Sequence, residues 1–325
     1  MTKREIEKYL HSSNINIGFE LEVIVPQFEK EHKKAIIDQY HIDDRKWEYD
    51  IYTVERNIWL KLGGRAPNLP AWAREMGYRA GDEIPDPLNL VSENRMSMMK
   101  TISVYFRADR LPFEWKIRDQ YQYTNHKYWI IKPDATLGFS GLELSSPILS
   151  MWEFLYIVPK LFKHIDKYDC KTTNQCGFHV GLSFKDKDWS KELDPIKMGL
   201  FVDEKFIYKH FPMRKNNEYA ESIHTDIKYL MRERYYGQKV IEAVEKKKKR
   251  KPKFTENHHM AINIEHLSEK NKYIEFRYTG GKDYHKKWNV IKEIVAMYIR
   301  AMHIARTDEK KDEYMAMLKK LGKVK

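Results

Sequence analysis

Cysteine is scarce in this 325-residue chain. There are two, Cys170 and Cys176, and they form no CxxC pair. That excludes a disulfide scaffold, favours a cytoplasmic setting, and makes both residues read as buried thiols rather than nucleophiles. Long apolar runs are missing too. No stretch nears the roughly 20 residues that span a bilayer, so no membrane partner is expected. The opening MTKREIEKYL lacks the apolar centre of a secretory signal. No internal repeat, zinc-finger spacing, RRM-type aromatic motif or Walker-type glycine loop occurs. Sequence-specific nucleic-acid readout is unsupported, and any nucleotide would have to be held by metals and side chains.

Charge is abundant: the chain is 33% charged and 42% hydrophobic, with a net charge of +12. This describes a charge-rich globular protein long enough to bury a substantial core. The positive excess is concentrated. Lys246 and Lys253 bound the run KKKKRKPK, and removing its seven basic residues leaves +5. Such a run reads as a solvated loop or as a contact for an anionic macromolecule.

Residues 28–128 differ from the rest. They are dense in Gly and Pro over 63–90 and hold Trp47, Trp59, Trp72 and Trp115. They read either as an inserted segment that covers a site or recognises substrate, or as an irregular subdomain. Ser150 and Glu153 form a capping-box pattern before MWEFLYIVPKLFKHI, where Pro159 predicts a kink. Val290, Ile291, Ile294, Val295, Tyr298 and Met302 predict a packed helix over about 286–307.

The chemistry lies in short strand-like stretches. In GFELEV (18–23), Glu20 and Glu22 share one face, while Phe19, Leu21 and Val23 share the other. Two carboxylates about 7 Å apart repel. Either solvent exposes both or a positive group sits between them. GLELSSP sets Glu143 opposite its leucines. CGFHVGLSF opposes His179, Gly181 and Ser183 to four apolar residues. AINIEH opposes Asn263 to two isoleucines, and YIEFRY pairs Glu275 with Arg277. One sheet with an apolar back, helices behind it and a polar front satisfies all five stretches. Four carboxylates on that front call for cations, and hard oxygen donors suit Mg²⁺ or Mn²⁺. His179 and Arg277 suit phosphate oxygens. Together they describe a metal–nucleotide site. His258, His259 and His266 mix faces and read as incidental.

These stretches, in this order, resemble the carboxylate–amine ligase superfamily, which includes glutamine synthetase and glutamate–cysteine ligase. They are most similar to its amidoligase family, often found in phages and bacterial gene clusters. The likeness covers about 14–25 and 130–285. It implies an α+β fold: a glutamine synthetase-like antiparallel sheet funnel, helices on one face, and 28–128 inserted into one catalytic domain. It implies ATP, two or three Mg²⁺ ions, and amide formation from a carboxylate and an amine through an acyl phosphate. Either substrate could be a small molecule, peptide or protein. By the same resemblance Glu20, Glu22, Glu143 and Glu275 are metal ligands. His179 contacts phosphate or metal, and Arg277 binds phosphate. Asn263 takes a cofactor-side position, and Asp134 lies near substrate or simply forms a turn. Gly181 departs from the family, which commonly has a second histidine there. Two other classes stay open: a metal-dependent nuclease, although GLELSSP lacks the lysine of an acid–x–Lys strand, and a non-catalytic nucleic-acid-binding protein.

The basic run lies outside all five stretches. Neutralising Lys246, Lys247, Lys248 and Lys249 is therefore expected to spare turnover of small substrates. It is expected to weaken any binding to an anionic macromolecule in a salt-dependent manner. Loss of small-substrate turnover in a folded variant would place the run in the active site instead.

Overall fold

The computed structural model describes residues 1–26, 115–117, 129–137, 140–217, 220–232, 260–268 and 272–322. The basic run, His258, His259, Trp47, Trp59, Trp72 and almost all of 28–128 lie outside them. The described chain begins with α1 (Lys3–Leu10) and β1 (Ile15–Ile24), then β2 (Trp115–Ile117), β3 (Trp129–Pro133), β4 (Gly141–Ser145) and β5 (Leu149–Ser150). Next come α2 (Met151–Lys167), β6 (Gly177–Phe184), and the short helices α3 (Trp189–Glu192), α4 (Pro195–Leu200) and α5 (Glu204–His210). After α6 (Ile223–Arg232) follow β7 (Ile262–Asn263), β8 (Ile274–Gly280), α7 (Trp288–Arg306) and α8 (Lys311–Gly322).

The fold is α+β. The strands form one sheet in the order β2-β3-β4-β1-β6-β8-β7, with β5 also paired to β1. Every pair is antiparallel except β2–β3, which is parallel. The wholly antiparallel expectation is therefore corrected at this edge, by a strand that falls inside the segment read as an insertion. The five stretches with one polar face occupy five neighbouring strands, β4-β1-β6-β8-β7.

Alternation sends Phe19, Leu21, Phe178, Val180 and Phe276 to the back, where all are buried. Helices α2 and α7 cover them. Phe154 of α2 packs edge-on to Phe19, Phe162 edge-on to Phe178, and Tyr298 of α7 stacks on Phe276 at 4.1 Å. Each such side chain contributes on the order of 1.5–3 kcal/mol on burial, which fixes the sheet's orientation and hence which residues face front.

The expected capping box opens α2. Ser150 Oγ accepts from Glu153 N, and Ser150 N donates to Glu153 Oε2 at 2.7 Å. The helix continues through Pro159 to Lys167. The apolar stripe of 290–302 lies on α7. Helix α8 was not anticipated; its buried Tyr314 and Leu318 dock it onto the body. Among the described residues no helix is long and apolar enough to cross a membrane. Both cysteines are free, and burial pushes their thiols up, to about 12 for Cys170 and about 11 for Cys176. Both stay protonated at neutral pH, Cys176 buried and Cys170 half-buried.

Ser150→Ala removes the side-chain half of the capping box. The expected loss is about 1 kcal/mol of unfolding free energy, read as a lowered urea midpoint at unchanged slope. An unaltered midpoint would mean that the cap does not anchor α2.

Candidate metal and anion site

The front of the sheet gathers the acids. Across β1 and β6, Glu20 stands opposite His179, and across β1 and β4, Glu22 stands opposite Glu143. Directly opposed like charges destabilise a sheet. Each member of the second pair turns to a different partner. Glu22 Oε2 accepts the Gly177 N–H at 2.6 Å. Glu143 Oε1 accepts from Ser145 Oγ at 2.7 Å and lies 2.8 Å from Lys132 Nζ, which reaches in from β3.

His179 is the positive group that the spacing of Glu20 and Glu22 demanded. Its Nδ1 lies 3.4 Å from both Glu20 Oε2 and Glu275 Oε1, and its Nε2 lies 3.6 Å from Glu22 Oε1. Burial alone would strip its proton, but the Glu22 charge and the bonds to Glu20 and Glu275 dominate and raise it to about 9. Burial likewise opposes ionisation of Glu20. The His179 bond and the Lys132 and Arg277 charges outweigh it and hold Glu20 at about 2. Burial is also offset at Glu275, which His179 and Arg277 hold low. Glu22 goes the other way: its burial prevails over His179 and raises it. Burial and the Glu20 charge push Glu143 up to about 8 despite Lys132.

Local backbone makes this packing possible. A Cβ at Gly177 would stand 2.2 Å from His179 Nε2, so any side chain there would push the imidazole out of its place among the acids. In β8 the register slips, so that Arg277 and Tyr278 together face the single residue His179. This bulge breaks the strict alternation of the strand. Arg277 keeps its Nε 3.8 Å from Glu275 Oε1, while Tyr278 is buried behind, its hydroxyl donating to Glu204.

Glu20, His179 and Glu275 each offer a ligand atom, and these atoms lie within 4.8 Å of one another. Two carboxylates and an imidazole suit Mn²⁺ or another divalent cation, and the carboxylates suit Mg²⁺. Glu22 and Glu143, expected in the same set, are engaged as described above. Asn263 Nδ2 donates to Glu275 Oε2 at 3.1 Å, and its Oδ1 accepts from Glu265 N. Asp134 Oδ1 accepts from Thr136 N and Oγ1 in a turn.

Three residues escaped the sequence reading. Lys132 follows from the alternation of WIIKP, which puts it on the front. Arg214 carried no signal; it is 1% exposed and donates to the Arg277 carbonyl at 2.7 Å. His266, read as incidental, lies with Nε2 3.9 Å from Glu275 Oε2 and stacks on Tyr273 at 4.1 Å. A cavity of about 420 Å³ opens beside the cluster, lined in part by Glu20, His179, Glu275, Gly18, Gly181 and Tyr273. Gly181 does face it, as expected.

The geometry defines an α+β protein whose sheet face brings three potential metal ligands together beside an arginine. A family model, Amidoligase_2, described as "Putative amidoligase enzyme", matches residues 13–297. The chain belongs to this amidoligase family and is a ligase-type enzyme. The match spans the intervening segment as well as the stretches that carried the resemblance. Searches of curated proteins and of solved structures gave no match.

Because the His179 proton is held more tightly in the folded protein, it adds stability that is fully present below about pH 6.5 and lost as pH rises through about 9. Glu20 contributes in the opposite sense, above about 4.5, and that part is lost as pH falls through about 2. Urea melts of the metal-free protein are therefore expected to lose midpoint between pH 6.5 and 9, and His179→Gln to flatten that loss. Equal slopes for variant and wild type would remove His179 as the buried cation.

Proposed function

We propose that this amidoligase is an ATP- and Mg²⁺-dependent carboxylate–amine ligase that makes an amide or peptide-like bond through an acyl phosphate, on a glutamine synthetase-like catalytic fold. The observation that carries this reading is the convergence of Glu20, His179 and Glu275 within ligand reach, with Arg277 at the rim. The family membership supports it. Mg²⁺, or Mn²⁺, two or three ions in all, would be held by Glu20, Glu275, Glu22 and Glu143, with His179 among them. When bound, the ions and ATP supply charge neutralisation and the phosphoryl group.

The chain's own residues do the rest. Arg277 places a planar, bidentate donor beside Glu275, where negative charge on phosphoryl oxygens would be stabilised. Asn263 fixes one oxygen of Glu275, leaving the other toward His179 and Arg277. Lys132 contacts Glu143 and lends its field to Glu20. Residues 1–325 act as one catalytic domain in the cytoplasm, with 28–128 as lid or substrate-recognition segment. A metal-dependent nuclease draws support from Lys132 beside Glu143, a spatial acid–lysine pair. ADP release that needs both Mg²⁺ and an added amine supports the ligase; DNA cleavage without ATP would favour the nuclease.

Arg277→Lys keeps the charge but not the fork. Turnover is expected to fall on the order of 100-fold or more, the scale for losing one transition-state donor, with ATP affinity changed far less. Steady-state ADP release measures both. Activity within about threefold of wild type would reduce Arg277 to an ion-pair partner worth under about 1 kcal/mol.

A further inference from the structure

The floor of the cavity beside the acid cluster has one strip without side chains. Gly18 of β1 and Gly181 of β6 stand directly opposite each other, and both line it. Glycine inside a strand weakens the strand and often marks the close approach of a ligand or another backbone. Packing does not require it at position 18: an added Cβ would meet nothing nearer than Ser146 Oγ at 3.7 Å. At position 181 the Tyr273 ring edge would lie 3.0 Å away, so Tyr273 walls the strip where a side chain is missing.

The two ends of the cavity are built differently. Glu20 and Glu275 line one end with His179 paired between them, and Lys187 and Lys272 line the cavity together with Asp186. The Asp186 carboxylate is already gripped by Arg306, through contacts of 2.7 and 3.2 Å. Nearby Asp188 is bound by Lys191 at 2.6 Å. The two ammonium groups are thus the charge that this end offers a ligand. From Glu20 to Asn16, which also lines the cavity, β1 advances about 13 Å at roughly 3.3 Å per residue. An extended peptide advances by nearly the same step, so about three or four residues fill that length.

Resting on the ligase reading, we propose that this slot binds the amine substrate as a short extended peptide. Its amino terminus reaches the acid row at Glu20 and Glu275 as the uncharged amine that amide formation requires, its backbone crosses the Gly18–Gly181 strip, and its free carboxylate meets Lys187 and Lys272. The charge match lies at the lysine end, and the opposite end sets the amine beside the candidate metal ligands. The bare strip admits a backbone where any side chain would hold it off.

The test uses the full chain with Mn²⁺ and pools of randomised tetrapeptides with free termini, with amidated C-termini, or with acetylated N-termini. Retention is measured by ultrafiltration and mass spectrometry. The free pool is expected to be retained about tenfold better than either capped pool, the scale of one charge-assisted contact. Lys187→Gln with Lys272→Gln should erase the preference over the amides and leave the preference over the acetylated pool. Gly18→Ala should weaken retention about tenfold by the same reckoning, while Mn²⁺ binding, read by paramagnetic resonance, stays at the wild-type level. Equal retention of all pools, or none by the wild type, overturns the peptide assignment even if small amines drive ADP release. Retention of the free pool with no ADP release from any amine would instead overturn the ligase reading alone.

Discussion

One buried imidazole holds the front of this sheet together. Three carboxylates from two strands approach His179 within 3.6 Å, in surroundings where unbalanced like charge is costly. The ring reaches that position because residue 177 has no side chain and because Gly177 offers its own N–H to Glu22. The rest of the site follows from this pairing. Glu20 is free to ionise, Glu275 is aimed, and the arginine on the next strand finds a fixed carboxylate beside it.

A second cation works at the other end of the acid row. Lys132 sits opposite Glu143 across β3 and β4, and its charge favours the ionised form of Glu20. Where the acids crowd, the protein thus supplies its own positive charge, and Glu143, pushed up to about 8, holds its proton. The metal-free site is balanced by these two means. Both cations are short-range devices. Each works through contacts under 4 Å, so small shifts between neighbouring strands would be felt at once in the ionisation of Glu20 and Glu143.

Much of this was legible in the residues, because alternation is a local rule. GFELEV, CGFHVGLSF and YIEFRY each declare a greasy back and a polar front, and hydrophobic burial enforces the choice. What alternation does not declare is who stands next to whom. The pairing of Lys132 with Glu143 depends on the register of β3 against β4, and the nearness of His266 to Glu275 depends on a short 3-10 turn after β7. The service of Arg214 at the Arg277 carbonyl depends on a distant segment folding behind β8. The parallel edge strand and α8 were illegible for a similar reason. β2 spans only three residues, too short for a period to register, and α8 is anchored by two buried side chains rather than a continuous stripe.

The bulge in β8 ties the front of the sheet to the layers behind it. Arg277 and Tyr278 are consecutive, yet one serves the acid row and the other ends in a hydroxyl bound to Glu204, which also accepts from Ser222. Arg214 grips the carbonyl between them. The pitch of the arginine is consequently set like that of a tuned string, by what holds the far side. Residues of α5 and of the loop before α6 share in determining where that guanidinium points.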